Sequence, residues 1–94
     1  YLLDRLKATP EGNGNLLDNS LIMYGSSISD GNLHTHHDLP IVLAGGGGGQ
    51  VRGNRHVVYP KDTPLNNLLL SMLETAGVSV ETFGDSTGKL DCLA

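Results

Sequence analysis

Tryptophan is absent, phenylalanine occurs once and aromatic residues make up only 4% of the chain, so the large side chains that consolidate a small core are nearly missing. Cysteine is as scarce: Cys92 stands alone, which excludes a disulfide framework as compensation for a thin core in 94 residues. A single cysteine is compatible with either redox compartment. Basic residues are few, six Lys and Arg against ten Asp and Glu for a net charge of −4, and they are scattered rather than gathered into a stripe. That pattern argues against nucleic acid as a partner. No apolar run approaches the roughly 20 residues that cross a bilayer as a helix, and no charged-then-apolar signal opens the chain, so no membrane span is expected in this segment.

What is present is enough for one domain at most. The chain opens on Tyr1-Leu2-Leu3, in half an amphipathic helix that places Leu2, Leu3 and Leu6 on one side and Asp4, Arg5 and Lys7 on the other. Residues 1–94 therefore read as a single partial domain, the C-terminal portion of a larger one, with the rest of its own chain upstream supplying the other face. Pro10 ends the helix, and Glu11-Gly12-Asn13-Gly14-Asn15 reads as loop. Ser20 to Gly25 and Pro40 to Ala44 are short apolar runs of the kind expected of strands buried on both faces, and His56 to Tyr59 reads as a third strand. The clearest element follows: Asp62 or Thr63 as N-cap, Pro64 in the first turn, Leu65, Leu68, Leu69, Met72, Leu73 and Ala76 at helical spacing as core, and Gly77 as terminator. Val78 to Phe83 adds an edge strand, and Gly84 to Gly88 is turn chemistry. This alternation predicts an α/β fold, a mixed or mostly parallel sheet flanked by helices, with chemistry at the carboxyl ends of its strands.

The polar stretch Ser26 to Asp38 leaves one such strand end. Asp30 and His34 are four apart, and His34 and His36 project to one side if the segment is extended. One oxygen ligand with imidazoles suits a divalent metal, zinc, manganese or iron, with Ser29, Asn32 and His56 in support. The competing reading is a polar loop whose histidines bond locally or meet solvent. Gly45 to Gly49 invites a nucleotide, but every G-x-G-x-x-G register fails, and Asn54 and Arg55 stand where a P-loop needs Lys and Ser or Thr. No nucleotide cofactor is expected. Gly25-Ser26-Ser27 does not complete a nucleophile elbow, and Asp85-Ser86-Thr87-Gly88 has one residue too many for an aspartic protease motif. No catalytic residue is assigned.

A series of short matches carries a family resemblance. Leu16-Leu17-Asp18-Asn19-Ser20, Tyr24-Gly25-Ser26, Ser29-Asp30-Gly31-Asn32, His34, Leu39-Pro40, Leu43-Ala44-Gly45-Gly46, Arg55-His56, Pro60, Leu68 to Leu73 and Phe83 to Gly88 together resemble the C-terminal third of HXXSHH (DUF1552) proteins. The name-giving H-x-x-S-H-H motif is not here; His34-Thr35-His36-His37 has a different spacing. The resemblance implies an exported protein, periplasmic or extracellular, with its signal upstream of Tyr1. It also implies a distant similarity to the alkaline phosphatase and sulfatase superfamily, in which a strand-end carboxylate and nearby histidine hold metal; Asp30, His34 and His36 are the matching positions here. The superfamily nucleophile belongs to a part of the fold these residues lack. Two functions follow: a metal-dependent hydrolase of phosphate or sulfate esters, or a non-catalytic extracytoplasmic binding or structural protein.

Overall fold

The computed structural model describes residues 1–93. Helix α1 spans Leu2–Lys7, with Asp4 in its first turn and Arg5 and Lys7 in its last, charges that complement the helix dipole. Strands β1 (Pro10–Glu11) and β2 (Gly14–Asn15) then form a tight hairpin in which Gly12 takes the positive φ of 57° that two-residue loops favour. Strands β3 (Ile22–Gly25) and β4 (Ile41–Ala44) pair antiparallel, Ile22 opposite Ala44 and Gly25 opposite Ile41. After a glycine-rich turn and an irregular stretch comes helix α2, Leu65–Thr75.

The architecture overturns the expected α/β fold. There is no parallel or mixed sheet flanked by helices, and no alkaline phosphatase-like layering, but two separate two-stranded antiparallel sheets and two helices. The physical reason lies between β3 and β4. A parallel neighbour needs a crossover that covers the sheet, usually a helix, and residues 26–40 have no apolar periodicity from which to build one. They turn back instead: the Ser26 amide donates to the Pro40 carbonyl at 3.3 Å, and Asp30 and Thr35 form an isolated antiparallel bridge further out. β3 and β4 are the stem of a long hairpin arm. Nor are they buried on both faces, since Tyr24 is 81% and Val42 61% exposed. Residues 56–59 and 78–83, expected as strands, adopt no regular structure.

The glycine run is a docking device. Amides of Gly46, Gly47 and Gly48 donate to the carbonyls of Leu17, Ser20 and Asp18 at 2.9–3.0 Å, and those of Gly49, Gln50 and Val51 turn back into the run itself. A Cβ at Gly46 would lie 2.5 Å from the Asp18 carbonyl oxygen, so only glycine allows this approach. With these amides engaged, none of them is left to cradle a phosphate.

Helix α2 starts from Pro64, whose φ of −63° and ψ of 137° are extended, without a side-chain cap; neither Asp62 nor Thr63 fills that role. It ends as its sequence predicts. Gly77 has φ 89°, its amide donates to the Glu74 carbonyl and that of Val78 to the Leu73 carbonyl, each at 2.9 Å, the two bonds of a Schellman motif. Of the expected stripe Leu65, Leu68, Leu69, Met72, Leu73 and Ala76, only Leu68 is buried. Asn67, Leu68, Leu70 and Ser71 are buried, whereas Leu69, Met72 and Leu73 are half-buried and line an open apolar cleft with Ala76 and Phe83. Among the described residues only Leu68, Leu70 and Leu93 are fully buried hydrophobics.

Candidate functional site

The polar loop is built as a small hairpin on the end of the β3–β4 arm. The Ser29 amide donates to the Thr35 carbonyl at 2.9 Å and the two hydroxyls meet at 2.7 Å; the His34 amide returns to the Asp30 carbonyl at 2.7 Å. Within that turn, Asp30 Oδ1 accepts from the amides of Asn32 and Leu33 at 2.8 and 3.1 Å, the local capping that suits an Asp at a turn. His34 sits at φ 55°, so the segment is not extended and the premise that placed His34 and His36 on one side does not hold. His36 bonds through Nδ1 to the Ser27 carbonyl at 2.7 Å. Because a carbonyl only accepts, Nδ1 carries the proton, and in the neutral ring the free lone pair is on Nε2.

The other sequence-derived residues fall as follows. Ser29 is consumed in the Thr35 contact, Asn32 contributes its backbone amide to Asp30, and His56 is exposed in the irregular 51–60 segment. Among the described residues, no three His, Cys, Asp or Glu side chains come together as a metal-holding group. The residues present, as arranged, do not make a three-ligand site. No helix among the described residues is long and apolar enough to cross a membrane.

No family model fits this chain, and neither the curated proteins nor the solved structures contain a match.

Several contacts lay outside the sequence reading. His37 Nδ1 pairs with Asp62 Oδ1 at 3.3 Å, tying the arm to the segment before α2 across an exposed surface where such a pair is worth little. Asp62 had the look of an N-cap because Pro64 follows; its φ of 63° shows a turn instead. The more extensive network runs along α2. Asn67 takes the Thr87 amide on Oδ1 at 2.7 Å and gives Nδ2 to the Thr87 hydroxyl at 3.0 Å. Ser71 Oγ accepts from the Leu90 amide at 2.7 Å and also contacts the Leu90 carbonyl at 2.9 Å. Lys89 reaches Glu74 at 2.6 Å, and the Arg52 amide donates to the Leu93 carbonyl at 2.9 Å. The polar stripe Asn67, Ser71, Thr75 at i, i+4, i+8 was the available signal, hidden because its residues are small and uncharged.

Beside the tail, Tyr59 carries a buried hydroxyl with no hydrogen-bond partner. Desolvation pushes its pKa from the ordinary 10.0 up to about 12; the neighbouring Cys92 thiol and Asp91 carboxylate act in the same direction and Arg55 against them. The Cys92 thiol, a weak donor and acceptor, does not meet hydrogen-bond geometry, so burial is the cause that stands.

Proposed function

We propose that this chain is the C-terminal part of an HXXSHH-like extracytoplasmic protein and that its role there is non-catalytic, a binding or structural element. The observation that supports this reading is the internal use of the polar loop: the Asp30 carboxylate caps its own turn and the His36 ring holds the Ser27 carbonyl. The loop is thereby a polar projection at the end of an arm, with its carboxylate and one imidazole already engaged. The sheet behind it leaves apolar surface at Tyr24 and Val42 for a partner or for other parts of a larger protein to cover.

A metal-dependent hydrolase of phosphate or sulfate esters is the second reading, and one contact favours it. A metal-binding histidine commonly donates its other ring N–H to a backbone carbonyl, which is what His36 does toward Ser27. The two readings separate on metal content. Folded protein equilibrated with zinc, manganese or iron and then desalted should carry no stoichiometric metal, and a double Asp30→Ala, His34→Ala variant should match it once folding of both is confirmed. One metal per chain in the wild type, lost in the variant, would sink the non-catalytic role and make esters the substrates to screen.

A further inference from the structure

We propose that the groove between α2 and residues 50–55 reads peptide backbone, and that its partner is the tail of a second copy of this chain, so that two copies dimerise by exchanging residues 83–93. The tail is held as a bound peptide would be. It has no regular secondary structure and runs parallel to α2, Thr87 meeting Asn67 and Leu90 meeting Ser71 one helical turn further on. The groove engages main-chain groups of the tail at four residues: the Thr87 amide by Asn67, the Leu90 amide and carbonyl by Ser71, the Cys92 carbonyl by Arg55 and the Leu93 carbonyl by the Arg52 amide. Leu93 then fills a buried apolar position, and Lys89 matches Glu74 in charge.

None of these contacts depends on which copy supplies the tail. A tail from a neighbouring molecule restores all of them, and only the tether distinguishes the closed monomer from the exchanged dimer. That tether is weakly held. Among the described residues, 79–82 make no hydrogen bond and Val80 within them is 44% exposed. From Phe83 onward the chain is held to α2 again, Phe83 in the apolar cleft and Asp85 accepting from the Asn66 side chain at 2.7 Å, so the exchanged unit begins at Phe83. A connection with so few restraints belongs to the least stable part of the molecule and opens first. An opened tail leaves the Asn67 and Ser71 side chains without their partners, which the second copy's tail then satisfies. Exchange is independent of whatever the polar loop binds.

The Glu74–Lys89 pair supplies the reporter, because a zero-length carbodiimide joins a carboxylate and an amine already in contact. Equal amounts of unlabelled and nitrogen-15-labelled chain are unfolded together, refolded over a series of concentrations, treated with carbodiimide, digested and analysed by mass spectrometry. Lys89→Gln identifies the linked peptide by its loss. Exchange predicts linked peptides with one labelled and one unlabelled half, their share rising with concentration toward about half of the product, the statistical limit for two-fold exchange. Linked peptides of uniform label at every concentration would show a tail that docks only on its own chain and would overturn the proposal. Absence of any Glu74–Lys89 product would overturn it too, by removing the docked tail on which it rests.

Discussion

Tyr59 shows how one atom can set a pH dependence. Its hydroxyl is buried without a partner, and burial favours the neutral form, raising the pKa from 10.0 to about 12. The folded chain therefore keeps this proton more tightly than the unfolded one. The stability that follows is fully present below pH 10 and is lost as pH rises from about 10 to about 12, where the unfolded state has released the proton and the folded state has not. Tyr59→Phe removes both the titration and the unpaired hydroxyl. Thermal midpoints across that window should fall less steeply in Tyr59→Phe than in the wild type, with the variant at least as stable at neutral pH; parallel declines would show that the hydroxyl is solvated. At this scale some residues were legible and others were not. Gly77 could be read as a helix terminator because its position after the last periodic leucine demands a positive φ, which it has. Asp30 and His34 could not be placed from spacing, because a left-handed residue at His34 converts an imagined extended segment into a turn and directs the Asp30 carboxylate onto its own backbone. The tyrosine left no signal, since two of the groups around it, Asp91 and Cys92, are more than 30 positions away in the sequence.

Among the elements, α2 was visible because eleven helical residues carry enough apolar repeats to set a period. Which of its faces would pack was not. A leucine-rich helix offers apolar residues in several directions, and the side that lies against the tail is chosen by Asn67 and Ser71, whose hydrogen bonds satisfy the tail backbone where water is excluded. Ser71→Ala leaves the Leu90 amide and carbonyl without this partner at a half-buried site, for a loss of about 1 kcal/mol in denaturant unfolding. Thr75→Ala is the matched comparison: Thr75 bonds back to the Ser71 carbonyl within the helix, so the same deletion of a hydroxyl there should cost less than Ser71→Ala. Equal losses would mean that Ser71 contributes only as a helical serine. Strand direction was beyond reach for a different reason. Short apolar strands look alike whether their partner is parallel or antiparallel, and the discriminating feature is the connection: residues 26–40, polar and aperiodic, hold nothing that could cross over and cover a sheet. The hairpin of β1 and β2 was missed because its strands are two residues long and carry no apolar alternation.

As a whole, the molecule is more open than its length predicts. Its accessible surface is 6898 Å², against about 5,200 Å² for a folded monomer of 9.9 kDa, and its radius of gyration is 14.6 Å against about 12 Å. Part of the surplus surface comes from the β3–β4 arm, whose two-stranded sheet has no second layer on the Tyr24 and Val42 face, and part from α1 and the irregular segments around Val58 and Val80. A two-stranded ribbon is marginal in water by itself, whereas α2 and the tail share the buried Leu68, Leu70 and Leu93 and a set of part-buried hydrogen bonds. Stability is thus concentrated at one end of the chain. Native-state hydrogen exchange should separate the two, with the amides of residues 70–76 in and just beyond α2 exchanging slowest and those pairing β3 with β4 exchanging markedly faster. Rates that are uniform across both would require the arm and the helix to open together as one unit, and the apolar face of the arm would then need a covering contact within the same chain. A partner that docks on Tyr24 and Val42 should slow exchange in β3 and β4 while leaving the amides of α2 unchanged, which distinguishes cover of the arm from general stabilisation of the fold.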